Sequence, residues 1–124
     1  MQDEPTPTEL INTVADFLRS ELVPAIGGHH AFKLRVAINA LDLATRQLTL
    51  ERNSDAAEAA RLSRLLGVQG SLKELNRMLA GKIANGEADL RTPGLSDHLW
   101  QTTMEKLAID QPNYAAYRRE CGEK

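Results

Sequence analysis

The stretch Ala31–Leu50, AFKLRVAINALDLATRQLTL, decides the fold. It contains neither Gly nor Pro and is bounded by the turn-forming pair Gly27-Gly28 and by Asn53-Ser54. Wound as an α-helix, it places Phe32, Val36, Leu43 and Leu50 on one side. Leu34, Ala37, Ile38, Leu41, Ala44 and Leu48 fall on the others. A helix that is apolar around most of its circumference is normally buried among other helices. The expectation is therefore an all-α, single-domain bundle of about five helices, with 31–50 as the central one.

The flanking sequence supplies the other helices. Upstream, Thr8 is a candidate N-cap, and Leu10, Val14 and Phe17 share a face with Ile11, Ala15, Leu18 and Leu22. This helix should run from about Thr8 to Val23 and stop at Pro24, because the residue before a proline is pushed out of the α region. Downstream, a third helix should begin after Ser54 and end at Gly67, a natural C′ residue. Ser71 and Glu74 match a capping box for a fourth helix, which should reach about Asn85 and stop at Gly86. Thr92-Pro93 reads as N-cap and first helical residue of a fifth, extending to about Ile109. Residues 1–7 form a flexible lead, 8–114 the bundle domain and 115–124 a charged tail.

Composition bounds the function. The 124 residues suit one domain large enough to bury a core without disulfide or metal. The single cysteine, Cys121, excludes an intramolecular disulfide. Fifteen Lys and Arg against seventeen Asp and Glu leave a net charge of -2, with no basic stripe for nucleic acid. No apolar run is long enough to span a bilayer, and the acidic start MQDEP is not a secretory signal. The expected location is the cytoplasm.

One polar strip interrupts the apolar helix. Arg35, Asn39, Asp42, Arg46 and Thr49 follow steps of four, three, four and three and so form a single line. Three readings stand for it: a solvated outer stripe with modest ion pairs, a partly buried network joining the helix to loops, or a site receiving an anion. Arginine suits the last two because its planar fork bonds carboxylates and carbonyls in pairs.

Other candidates read as structure. His29-His30 lacks the spacing of a metal site, and His98 falls on the polar side of its helix. Trp100 and Met104 read as core. Glu105 and Lys106 read as surface charges. Asp110 and Tyr114 read as a packed helix exit, with Asp110 accepting hydrogen bonds from Arg35 or Arg46 and the Tyr114 ring covering the core. No P-loop, nucleophile elbow or Glu-x-x-His pair is present, so neither enzymatic activity nor a cofactor is expected.

Three segments carry a resemblance. PT…EL…V.DFL…E..PA near the start, F..RVA.NAL in the second helix and KLAIDQPNY near the end resemble a bacterial family of small helical domains of unknown function. The resemblance runs from about Pro5 to Tyr114. It includes Phe32, Arg35, Val36, Ala37, Asn39, Ala40 and Leu41, and then Lys106, Leu107, Ala108, Asp110, Pro112 and Tyr114. It implies a setting beside, or fused to, aminoglycoside-phosphotransferase-like kinases and acyl-CoA dehydrogenases. The resulting expectation is an accessory or interaction domain partnering such a kinase of acyl-CoA metabolism, with a second copy of the chain as another candidate partner. The rival is a domain that binds a small anionic ligand through Arg35, Asn39, Asp42 and Arg46.

Overall fold

A computed structural model describes residues 4–122. Of the expected lead and tail, residues 1–3 and 123–124 lie outside the described residues. The fold is all-α. Five α-helices follow in order: α1 (Pro7–Phe17), α2 (Gly28–Leu66), α3 (Leu72–Ala84), α4 (Leu95–Asp110) and α5 (Ala115–Glu120). No strand occurs among the described residues. The chain divides into two compact units, 1–51 and 52–124.

In the first unit, α1 starts earlier than its sequence pattern suggested. Thr6 is the N-cap, Pro7 is the first helical residue and Glu9 closes a capping box. Thr6 Oγ1 accepts from the Glu9 N–H at 3.2 Å, and Glu9 Oε1 accepts from the Thr6 N–H at 3.4 Å. Proline at the first helical position fits, since that N–H has no intrahelical partner. At the other end, α-helical bonding stops at Phe17 rather than Val23. Leu18–Leu22 forms a wider π turn in which the Val23 N–H reaches back to Leu18 O, and Val23–Ala25 forms a 3-10 turn holding Pro24. Proline has no N–H to donate, and its ring collides with the carbonyl four residues back, so regular α bonding cannot continue through it.

The central stretch 31–50 is helical throughout, but the helix is much longer. α2 spans 39 residues and passes through Asn53-Ser54 without a break. The expected third helix is its C-terminal part. Asn and Ser cost only up to about 0.7 kcal/mol each inside a helix. Here they are followed by Ala56, Ala57, Glu58, Ala59 and Ala60, all strong helix formers. The stretch is also not buried all round. Ala31 and Ile38 are buried, while Phe32, Val36 and Leu48 are more than half exposed. With Ala15, these two make up the buried apolar residues of the first unit among the described residues.

The second unit holds the larger core. Leu62 of α2, Leu75 and Leu79 of α3, Ala88 of the following loop and Leu95 of α4 pack together, flanked by Leu66 and Leu72. The punctuation between these elements follows the sequence pattern. Gly67 adopts φ +70° after α2, and the Ser71–Glu74 capping box opens α3. Asn85 caps the end of α3, and Gly86 follows at φ +83°. The start of α4 does not follow it. Thr92-Pro93 lies in a turn, where Thr92 Oγ1 accepts from the Asp89 N–H at 3.0 Å. The helix begins after Gly94, whose φ of +85° only glycine adopts readily. The expected charged tail contains the short helix α5.

Candidate functional site

The polar centre of the second unit is Arg61, carried on α2. Its side chain is 11% exposed and crosses to three residues of α4. Nε donates to His98 Nδ1 at 3.2 Å. Nη1 donates to Glu105 Oε1 at 3.0 Å, and Nη2 donates to Glu105 Oε2 and to Thr102 Oγ1, both at 3.1 Å. His98, Thr102 and Glu105 are spaced four and three apart, which aligns them on one face of α4. A bidentate guanidinium–carboxylate pair gives both energy and orientation. It also neutralises the arginine charge locally.

His98 is buried, at 3% exposure, and is the one buried polar residue among the described residues. This corrects its expected place on a polar surface. The residue lies on the face of α4 that meets Arg61, and the arginine satisfies its ring. Burial holds the His98 pKa below its ordinary value, and the Arg61 guanidinium pushes it the same way. The carboxylates of Glu58 and Glu105 pull in the opposite direction. Because Nδ1 accepts from Arg61, the neutral ring carries its proton on Nε2.

Beside this cluster lies a cavity of about 330 Å³. Its walls come from Arg61, Arg64 and Leu65 of α2, the Pro93-Gly94 turn, and Asp97, His98 and Gln101 of α4. It is therefore concave and mixed in polarity, with His98 shared between the cluster and the cavity. No group of three or more His, Cys, Asp or Glu side chains among the described residues is arranged to hold a metal ion.

The residues singled out from sequence are distributed differently. Arg35 and Asn39 are exposed on α2, and Asp42 and Arg46 are partly buried. Asp42 Oδ2 takes Arg19 Nη2 at 2.7 Å, and Arg19 Nη1 also holds Asp16 Oδ1 at 3.0 Å. The strip thus reaches the π turn through Asp42. These four residues belong to the first unit, while Asp110 and Tyr114 belong to the second. Asp110 is exposed at the last residue of α4. Tyr114 stands at the N-cap of α5 with its side chain more than half exposed, so the ring does not cover the core as expected. Trp100 is likewise more than half exposed rather than in the core, and Glu105 belongs to the Arg61 cluster rather than to the open surface. Arg61 itself carried no sequence signal beyond its place among Leu62, Leu65 and Leu66. Finding it required the register between α2 and α4.

Fold and site together define a small all-α domain built on one long helix and an arginine-centred polar cluster. The sequence places it further: a domain of unknown function, DUF6285, matches residues 24–114, and the chain belongs to that family. No curated protein and no solved structure matches it.

Proposed function

We propose that this chain is a non-enzymatic accessory domain that works by docking onto a partner protein. The observation that carries this reading is in the first unit. Leu10, Val14 and Phe17 form an i, i+4, i+7 stripe along α1, and each is half or more exposed. Phe32 and Val36 form a second such pair on α2, with Phe32 at 61% exposure. Large aromatic and aliphatic side chains in helical register are the anchors by which helices seat on partner surfaces. Isolated exposed hydrophobics are ordinary, but aligned ones are not.

The partner we propose is the phosphotransferase-like kinase of acyl-CoA metabolism that the sequence resemblance implies, with the complex in the cytoplasm. Nothing in the near-neutral charge favours a nucleic acid, and no described helix is long and apolar enough to cross a membrane. Light scattering after size exclusion tests the reading, on the chain alone and then mixed with that kinase. Co-elution at a fixed ratio, lost in Val14→Asp and in Phe17→Ser, is the expected result. Separate elution of chain and kinase would overturn it, and a dimer of the chain alone would assign the stripe to self-association instead.

A further inference from the structure

The cavity beside Arg61 belongs to the second unit and the stripe on α1 to the first, and the chemistry of the cavity is distinct. Arg61 contributes little free charge to it, because Glu105 occupies two of its nitrogens. The charges left on the wall are Arg64 and Asp97. They are opposite in sign, both are exposed, and neither is paired with the other or with another described residue. The His98 Nε2–H and the Gln101 amide likewise have no protein partner among the described residues. Leu65 and Pro93 provide the apolar part of the wall.

We infer that this cavity binds a small zwitterion of the α-amino acid class with an apolar side chain. Arg64 is the free cation for a carboxylate, and His98 and Gln101 line the same cavity as further polar donors. An ammonium placed at Asp97 uses the one free carboxylate on the wall. The side chain then lies against Leu65 and Pro93. Other charge types fit worse. A phosphate dianion meets one free cation and one opposing carboxylate. A simple carboxylate leaves Asp97 unmatched, and a simple amine leaves Arg64 unmatched. The volume, about 330 Å³, is at the small end for ligand pockets, which span roughly 300–1,000 Å³, and suits a molecule of this size.

The test is an NMR titration of the full chain with L-leucine, with 4-methylpentanoate, which lacks the ammonium, and with isoamylamine, which lacks the carboxylate. Leucine should shift the Gln101 side-chain amide and the backbone amides of Arg64 and Asp97. Each analogue should bind about five-fold more weakly, the size of one partly exposed ion pair. Asp97→Asn should reduce leucine to the level of 4-methylpentanoate without weakening the acid. Arg64→Gln should reduce it to the level of isoamylamine. Both positions are exposed charges at helix ends, so both variants should remain folded with at most a slightly lowered melting temperature, which is checked first. The inference fails if leucine at millimolar concentration shifts none of these amides, if either analogue matches leucine, or if the variants leave the preference intact. None of these results touches the docking reading, which is read out on α1.

Discussion

Arg61 and Glu105 stand 44 residues apart in sequence and are joined by two parallel N–H···O bonds of 3.0 and 3.1 Å. The same guanidinium holds His98 and Thr102, so one side chain fixes how α4 lies against the C-terminal part of α2. Lysine at this position keeps the charge but has neither the fork nor the Nε donor. Arg61→Lys should cost about 2 kcal/mol, the scale of losing hydrogen bonds to a charged, partly buried group. The urea midpoint of unfolding measures it. In a double-mutant cycle with Glu105→Gln, the pair should show a coupling of about 1 kcal/mol or more.

The buried His98 makes stability depend on pH. Its folded pKa is lowered from 6.5, first by burial and then by Arg61, so the unfolded chain binds a proton more readily than the folded one. The stability this gives is fully present above 6.5 and is lost as pH falls through that value toward the lowered folded pKa. Protonation also turns the Nδ1 acceptor into a donor facing the Arg61 Nε–H. Thermal melts between neutral pH and pH 5 should show the decline, and His98→Asn, which keeps an acceptor but does not titrate, should flatten it.

Two glycines should respond in opposite directions to alanine. Gly81 lies inside α3, and a Cβ there meets nothing within 4 Å. Gly81→Ala should stabilise by about 0.5–1 kcal/mol through helix propensity alone. Gly94 holds φ +85°, and a Cβ there would come within 3.3 Å of Leu65 Cδ2. Gly94→Ala should destabilise by about 1–2 kcal/mol. Melting temperatures of the two variants check both signs.

The Thr45 hydroxyl on α2 is buried and has no hydrogen-bond partner among the described residues. An unsatisfied buried hydroxyl costs about 1–3 kcal/mol. Valine has the same shape and no polar atom, so Thr45→Val should raise the urea midpoint, with an expected gain of about 1 kcal/mol.

What the sequence made legible was local. Gly67, the Ser71–Glu74 box and Gly86 each act within a few residues, and each marks its helix boundary as its chemistry predicts. The misplacements came where local signals competed. Thr6-Pro7 and Thr8 both offer caps for α1, and the pair with proline and a reciprocal Glu9 prevails. Thr92-Pro93 has the right residues for a helix start, yet Asp89 engages Thr92 in a turn first. Asn53-Ser54 resembles a break, but the alanine-rich sequence after it carries the helix through. The Arg61 cluster was invisible for a different reason. Arg61 lies 37 to 44 residues from its partners, and only the packing of two helices reveals that they meet.

The two units also bury very different amounts of apolar side chain. In the first, Ala15, Ala31 and Ile38 are buried, whereas the second encloses Leu62, Leu75, Leu79, Ala88 and Leu95 as one cluster. Local opening requires less energy where few apolar contacts must be broken. In deuterated solvent, the amides of α1 should therefore exchange well before those of α3. The chain would have two protection lifetimes, with the shorter one in the segment that bears Leu10, Val14 and Phe17. A partner seated on that stripe would lengthen it, which makes hydrogen exchange at α1 a direct reporter of docking.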